Sequence, residues 1–144
     1  MDWKAEAKKE LRNYSAMKAA CENISLRLQA LRAEKTSLRS TVDATPVQGG
    51  GNHYEDRLLN LITEEDRLKL TLKATKIRLA LIERGLSVLS ESERAVVEVF
   101  AQYKAGAAID ILSDRLGLER AQIYRIWDIA LYRYTLAEYG IPEF

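Results

Sequence analysis

Apolar residues recur in alternating steps of three and four near the start of the chain: Tyr14, Met17, Cys21, Ile24, Leu28 and Leu31, then Leu38 and Val42, with Lys35 interrupting the series. That spacing predicts one amphipathic helix over 3–42. At about 1.5 Å rise per residue it would reach roughly 55–60 Å, too long to be buried in a domain of this size, so it calls for a partner helix. The partner is legible at Leu58, Leu61, Glu65, Leu68, Leu72, Thr75, Leu79, Ile82, Leu86 and Leu89, which keep the same rhythm without a slip. Leu59, Ile62, Leu70, Ile77 and Leu81 form a second stripe beside it, more apolar surface than one neighbour can cover. A homodimer or higher homo-oligomer is therefore expected through this region, with Leu58, Leu61, Leu68, Leu72, Leu79 and Ile82 as its seam.

The segment "TVDATPVQGGGNH", residues 41–53, separates the two periodic stretches. Pro46 stops helical continuation and Gly49, Gly50 and Gly51 free the backbone, so a flexible reversal between antiparallel helices is predicted. The glycines do not make a phosphate loop, since no Lys-Ser/Thr follows and no strand precedes them. After Gly85, Ser90 and Glu93 read as a capping box opening a helix that continues through Val96, Val97, Phe100 and Tyr103. Gly106 is expected to break that helix, with 107–116 the next, Gly117 the sharp turn and about 120–139 the last. The predicted fold is all-α: a long antiparallel, coiled-coil-like hairpin (1–88, linker 41–53), then a trihelical helix-turn-helix domain (89–144).

A helix-turn-helix needs apolar contacts between its two helices, a small residue where they cross and a glycine where the chain turns with positive φ. Leu112, Leu116, Leu118, Ile123 and Ile126, then Ser113, then Gly117 meet these needs in order. Ile123, Ile126, Trp127, Ala130 and Tyr134 share one face of the last helix, and Arg125, about 200° from Ile123, faces away from it. Arginine pairs with the O6 and N7 of guanine and glutamine with adenine, so Arg125, Arg120 and Gln122 are the side chains suited to reading a major groove.

The stretch from "LSESER" at Leu89 through "LGLERAQIYRI" at 116–126 resembles the C-terminal part of phage RinA/ArpU-like transcriptional regulators, itself similar to region 4 of sigma-70-type factors. The long first helix, "TPVQGGGN" and "EDRLLNLI" extend the likeness over nearly the whole chain. The resemblance implies a phage or prophage regulator acting at promoters, with Arg120, Gln122, Tyr124 and Arg125 at double-stranded DNA and RNA polymerase as a further partner. It also departs from that pattern. Where such helices continue with basic residues, this one has Trp127, Asp128 and Ile129.

Charge complicates the DNA reading. Residues 1–43 have nine Lys/Arg against six Asp/Glu, 44–88 seven against six, and 89–144 six against nine, so the candidate reader is the acidic part. Dimerisation would place two weak readers on one duplex, and Lys4, Lys8, Lys9 and Arg12 near the N-terminus are candidate phosphate contacts. Two other classes compete: a DNA-packaging adaptor like a small terminase subunit, and an interaction protein that binds polymerase without touching DNA. Eight of the eleven aromatics lie in 100–144, where core is their default place. An enzyme is not expected. There is one histidine, His53, one cysteine, Cys21, in an apolar stripe, and no metal-ligand cluster or cofactor loop, and the Glu64-Glu65-Asp66 run reads as solvated charge. No run of apolar residues is long enough for a membrane span and the charged N-terminus is unlike a signal peptide, so a cytoplasmic protein is expected.

Overall fold

The computed structural model describes residues 2–44 and 51–140, and among them every regular element is a helix: α1 (Trp3–Ala44), α2 (Gly51–Ser87), α3 (Glu91–Gln102), α4 (Ala105–Leu116) and α5 (Arg120–Tyr139). The chain is all-α, with two long helices ahead of three shorter ones. No helix among the described residues is long and apolar enough to cross a membrane. Both long helices extend into the expected connector. No breaker precedes Pro46, so α1 keeps residues 41–44, and α2 already includes Gly51, Asn52 and His53. The Pro46 stop and the hinge at Gly49 and Gly50 lie outside the described residues.

Residues 17–77 form one compact unit, in which the later part of α1 and the earlier part of α2 run antiparallel. Its core is Ile24, Leu28 and Leu68, with Leu31 and Leu72 packed against them. The interruption at Lys35 is not a defect in the stripe. Its Nζ donates to Glu65 Oε2 at 2.9 Å, and Lys69 Nζ reaches Glu65 Oε1 at 2.8 Å. Glu65 is buried, which corrects the reading of the Glu64-Glu65-Asp66 run as solvated charge. The hydrogen bonds from Lys69 and Lys35 hold its carboxyl down at about 2. Glu64 does face outward, where Arg67 Nε donates to it at 3.0 Å.

The five leucines and one isoleucine expected at an interchain seam are engaged within the chain: Leu61, Leu68, Leu79 and Ile82 are buried, Leu58 and Leu72 half-buried. A contact between copies through them would require exchanging helices. The second stripe remains uncovered, with Leu59 at 61%, Leu70 at 70% and Ile77 at 54% exposure.

The other compact unit joins residues 1–16 to 78–144. A boundary at 88–89 therefore cuts through a packed body, because the capping box that marks it signals where a helix starts and not where a domain ends. Val96, Val99, Ala108, Ile109, Leu112 and Ile123 form the core of α3–α5, with Phe100, Leu116, Leu118, Ile126 and Trp127 around it. The second half of α5 turns to the hairpin ends instead. Trp3 packs on Tyr139 with ring centroids 4.8 Å apart, Tyr14 Oη donates to Glu83 at 3.0 Å, and Tyr134, wholly buried, lies against Gly85. Gly85 is thus no helix terminus. It sits inside α2, buried, where a Cβ would meet the Tyr134 ring at 2.7 and 2.8 Å.

Gly106 is likewise misplaced by sequence reasoning. The chain breaks at Tyr103 and Lys104, both extended, and Gly106 lies in the first turn of α4. The Ser90–Glu93 capping box is present as read, Glu93 N–H donating to Ser90 Oγ at 3.2 Å and Ser90 N–H to Glu93 Oε1 at 3.3 Å. Arg133 adds a tie that no local pattern announces. It donates to Glu93 Oε1 at 2.6 Å and to the Val88 carbonyl at 2.7 Å, fastening α5 to the start of α3.

The Gly85 contact has a measurable consequence. Alanine is favoured over glycine in a helix interior by about 1 kcal/mol, whereas forcing a methyl into the Tyr134 ring costs about 1–3 kcal/mol. Gly85→Ala is expected to lower the unfolding free energy in guanidinium titrations, and a more stable variant would contradict this packing.

Candidate nucleic-acid interface

Gly117 closes α4 in the left-handed region, φ 65° and ψ 26°, with its N–H donating to the Ser113 carbonyl at 2.9 Å. Only a residue without Cβ adopts that conformation freely, so the turn predicted from the sequence is the turn observed. Glu119 then caps α5, and its N–H donates to Gln122 Oε1 at 3.2 Å. Gln122 is exposed, but its acceptor oxygen already serves the helix cap. The E-x-x-Q spelling of this box departs from the usual Ser/Thr at the cap, which is why the sequence did not announce it.

The four proposed reading residues do not share one face. Arg125 is exposed at the middle of the outward face of α5, with Gln122, Asp128, Ile129 and Tyr132 around it. Arg125 has no hydrogen bond or ion pair with any described residue. Arg120 is exposed too but lies about 140° round the helix from Arg125, with its guanidinium 5.7 Å from the centre of the Tyr124 ring. Tyr124 is half-buried and packs against Phe100, ring centroids 5.9 Å apart. Gln122 and Arg125 are therefore brought together, while Arg120 and Tyr124 form a separate stacked pair.

The basic residues at the start of α1 belong to this same unit. Lys8 Nζ stands 5.9 Å from the centre of the Trp127 ring, and Trp127 in turn stacks on Phe100 at 4.8 Å. Lys9 and Arg12 are exposed and Lys4 is half-buried. Counting residues 1–16 and 78–144 together gives twelve Lys/Arg against thirteen Asp/Glu. The unit that carries α5 is almost balanced, where 89–144 alone was clearly acidic.

A buried polar cluster holds α1 at this place. Arg78 Nη2 donates to Glu10 Oε1 at 2.9 Å, while Glu10 Oε2, Glu138 Oε2 and the hydroxyls of Tyr134 and Tyr139 are buried without a hydrogen-bond partner. Burial first, and the neighbouring Glu10 carboxyl second, push the Glu138 carboxyl up to about 8, against the opposing pull of Tyr134 and Arg78. Burial likewise raises the Tyr134 and Tyr139 phenols. Glu10 could have been noticed in the sequence: it lies three after Ala7 and four before Tyr14, a carboxylate in an apolar stripe.

A pH dependence follows. Between the ordinary carboxyl value of 4.5 and about 8, the folded chain holds a proton on Glu138 that the unfolded chain releases, so stability falls as pH rises through that window. Glu138→Gln keeps the neutral shape and is expected to flatten the fall, read as urea midpoints across that range. An unchanged slope in the variant would assign the dependence elsewhere.

Compared with known proteins, the chain matches no family model, no curated protein and no solved structure.

Proposed function

We propose that this chain is a phage or prophage transcription regulator, similar to RinA/ArpU-like proteins, whose α4–Gly117–α5 helix-turn-helix reads promoter DNA. The observation that carries the reading is Arg125, exposed and unpaired at the centre of the outward face of the helix that follows the left-handed glycine turn. A guanidinium so placed can make a bidentate contact to a guanine edge. Gln122 contributes less than its residue type suggests, because its oxygen serves the cap. Lys8 over Trp127 and Arg12 at the α3–α4 connection supply cations that the acidic 89–144 segment lacks. No catalytic or cofactor role is assigned.

A second copy completes the reader. The stripe at Leu59, Leu70 and Ile77 is exposed along one side of α2, and apolar side chains aligned at helical spacing favour a partner helix. Leu70→Glu with Ile77→Glu is expected to reduce the mass seen by light scattering to that of one chain with helicity retained. Leu68→Glu, placed in the core, is expected to cost helicity. A monomeric wild type at tens of micromolar would remove the dimer, and a ring of many copies would favour a packaging adaptor.

One observation favours a second reading. Ile129 at 57% and Tyr132 at 39% exposure lie on the same outward face as Arg125, as a protein-docking surface would have them. Fluorescence anisotropy separates the two. If Arg125 reads a base, Arg125→Ala costs about 1–3 kcal/mol on a selected duplex and flattens discrimination at one base pair. Equal affinity of wild type and variant for selected and scrambled duplexes, with polymerase binding lost in Ile129→Ala, would establish docking instead.

A further inference from the structure

A concave region lies elsewhere on the same unit. Where α3 passes into α4 there is a hollow of about 510 Å³ lined by Arg12, Ala101, Gln102, Tyr103 and Lys104. Tyr103 and Lys104 are extended there, and Tyr103 is 49% exposed. Two cations from separate elements line this space, and no acid lines it among the described residues. Neither Arg12 nor Lys104 has a hydrogen bond or ion pair with any described residue, whereas Arg94 and Arg133 of the same unit are matched by Glu98 and Glu93. The Gln102 amide and the Tyr103 hydroxyl bring further donors, so the lining offers positive charge and N–H and O–H groups together. That combination suits a phosphate group.

The hollow is also connected to α5 by the face of α1 that bears its arginine. Lys8 and Arg12 are four residues apart, about 6 Å along the helix and on one side of it. Lys8 stands over Trp127 of α5 and Arg12 lines the hollow. Lys8 thus lies on the Trp127 side of α5, about 200° round the helix from Arg125, and Arg12 continues that side of α1 to the hollow.

We propose that this hollow binds a phosphate group, a phosphodiester of bound duplex DNA, and the proposal so stated rests on the DNA-binding reading. The N-terminal helix is then part of the DNA grip through a built concavity shared with the α3–α4 connection, and not merely a cloud of positive charge.

Arg12→Gln, Lys104→Gln and the double variant test it, since both side chains are at the surface and circular dichroism verifies the fold. In anisotropy titrations over a salt series, each single variant is expected to weaken all duplexes alike and to lower the salt slope by about one, the double by about two, with base preference intact. An unchanged slope in the double variant, while wild type binds duplexes and Arg125→Ala loses discrimination, overturns the hollow and leaves the reading of α5 standing. A second arm titrates inorganic phosphate into isotope-labelled protein and follows the amide signals of Tyr103 and Lys104. Shifts in wild type that vanish in the double variant, with no duplex bound by either, retain the phosphate site but overturn DNA as its source. No duplex binding and no shifts overturn both.

Discussion

The unit that carries the candidate interface depends on the close approach of α2 and α5 at Gly85 and Tyr134. Tyr134 is among the largest fully buried side chains, and its ring occupies the volume that any Cβ at residue 85 would fill. Because interiors are packed to crystal-like density, such a contact sets a distance and does not merely tolerate it. With that distance set, Trp3 can stack on Tyr139, Glu10 can reach the polar cluster on α5, and Lys8 comes over Trp127. The cations of α1 are beside the helix-turn-helix for the same reason that residue 85 has no side chain.

Charged residues within apolar stripes make a second theme. Lys35 and Glu10 both stand where the three-four rhythm of α1 calls for an apolar side chain, and both are answered from α2, by Glu65 and Arg78 respectively. Buried ion pairs contribute little net stability, since desolvation offsets attraction, but a mispaired one is costly. Their effect is on register. Sliding α1 against α2 would take Lys35 from Glu65, which would keep Lys69 of its own helix, and Arg78 from the buried Glu10, so these pairs favour one meeting of turns over others, as polar core residues do in coiled coils.

What the sequence made legible was local or periodic. The stripes of both long helices, the capping box at Ser90, the positive φ at Gly117 and the bounds of α5 all depend on residues within a few positions of one another. Glycine was the least readable residue, since Gly85, Gly106 and Gly117 look alike in a string and serve as a contact, a first-turn residue and a turn. Glu65 was misread within an acidic run because its partner Lys35 is thirty positions away. Among the candidate DNA-facing residues, helical spacing correctly put Arg125 outside. It could not show that Arg120 stacks on Tyr124 or that Gln122 is engaged in a cap, because both facts concern side-chain conformation and not position.

The discontinuous make-up of that unit bears on how the chain is made. Residues 2–16 are synthesised well before α5, and the partners of Trp3, Lys8 and Glu10 there arrive only after more than a hundred further residues. Contacts of such sequence separation form late, because the intervening chain must first be ordered. The seam of 17–77 can close while synthesis continues, but Trp3 and Lys8 have no aromatic partner on α5 until that helix has emerged. Assembly of the helix-turn-helix with its basic neighbour thus waits for α5, and a nascent chain stalled before residue 120 carries an α1 whose partners there do not yet exist.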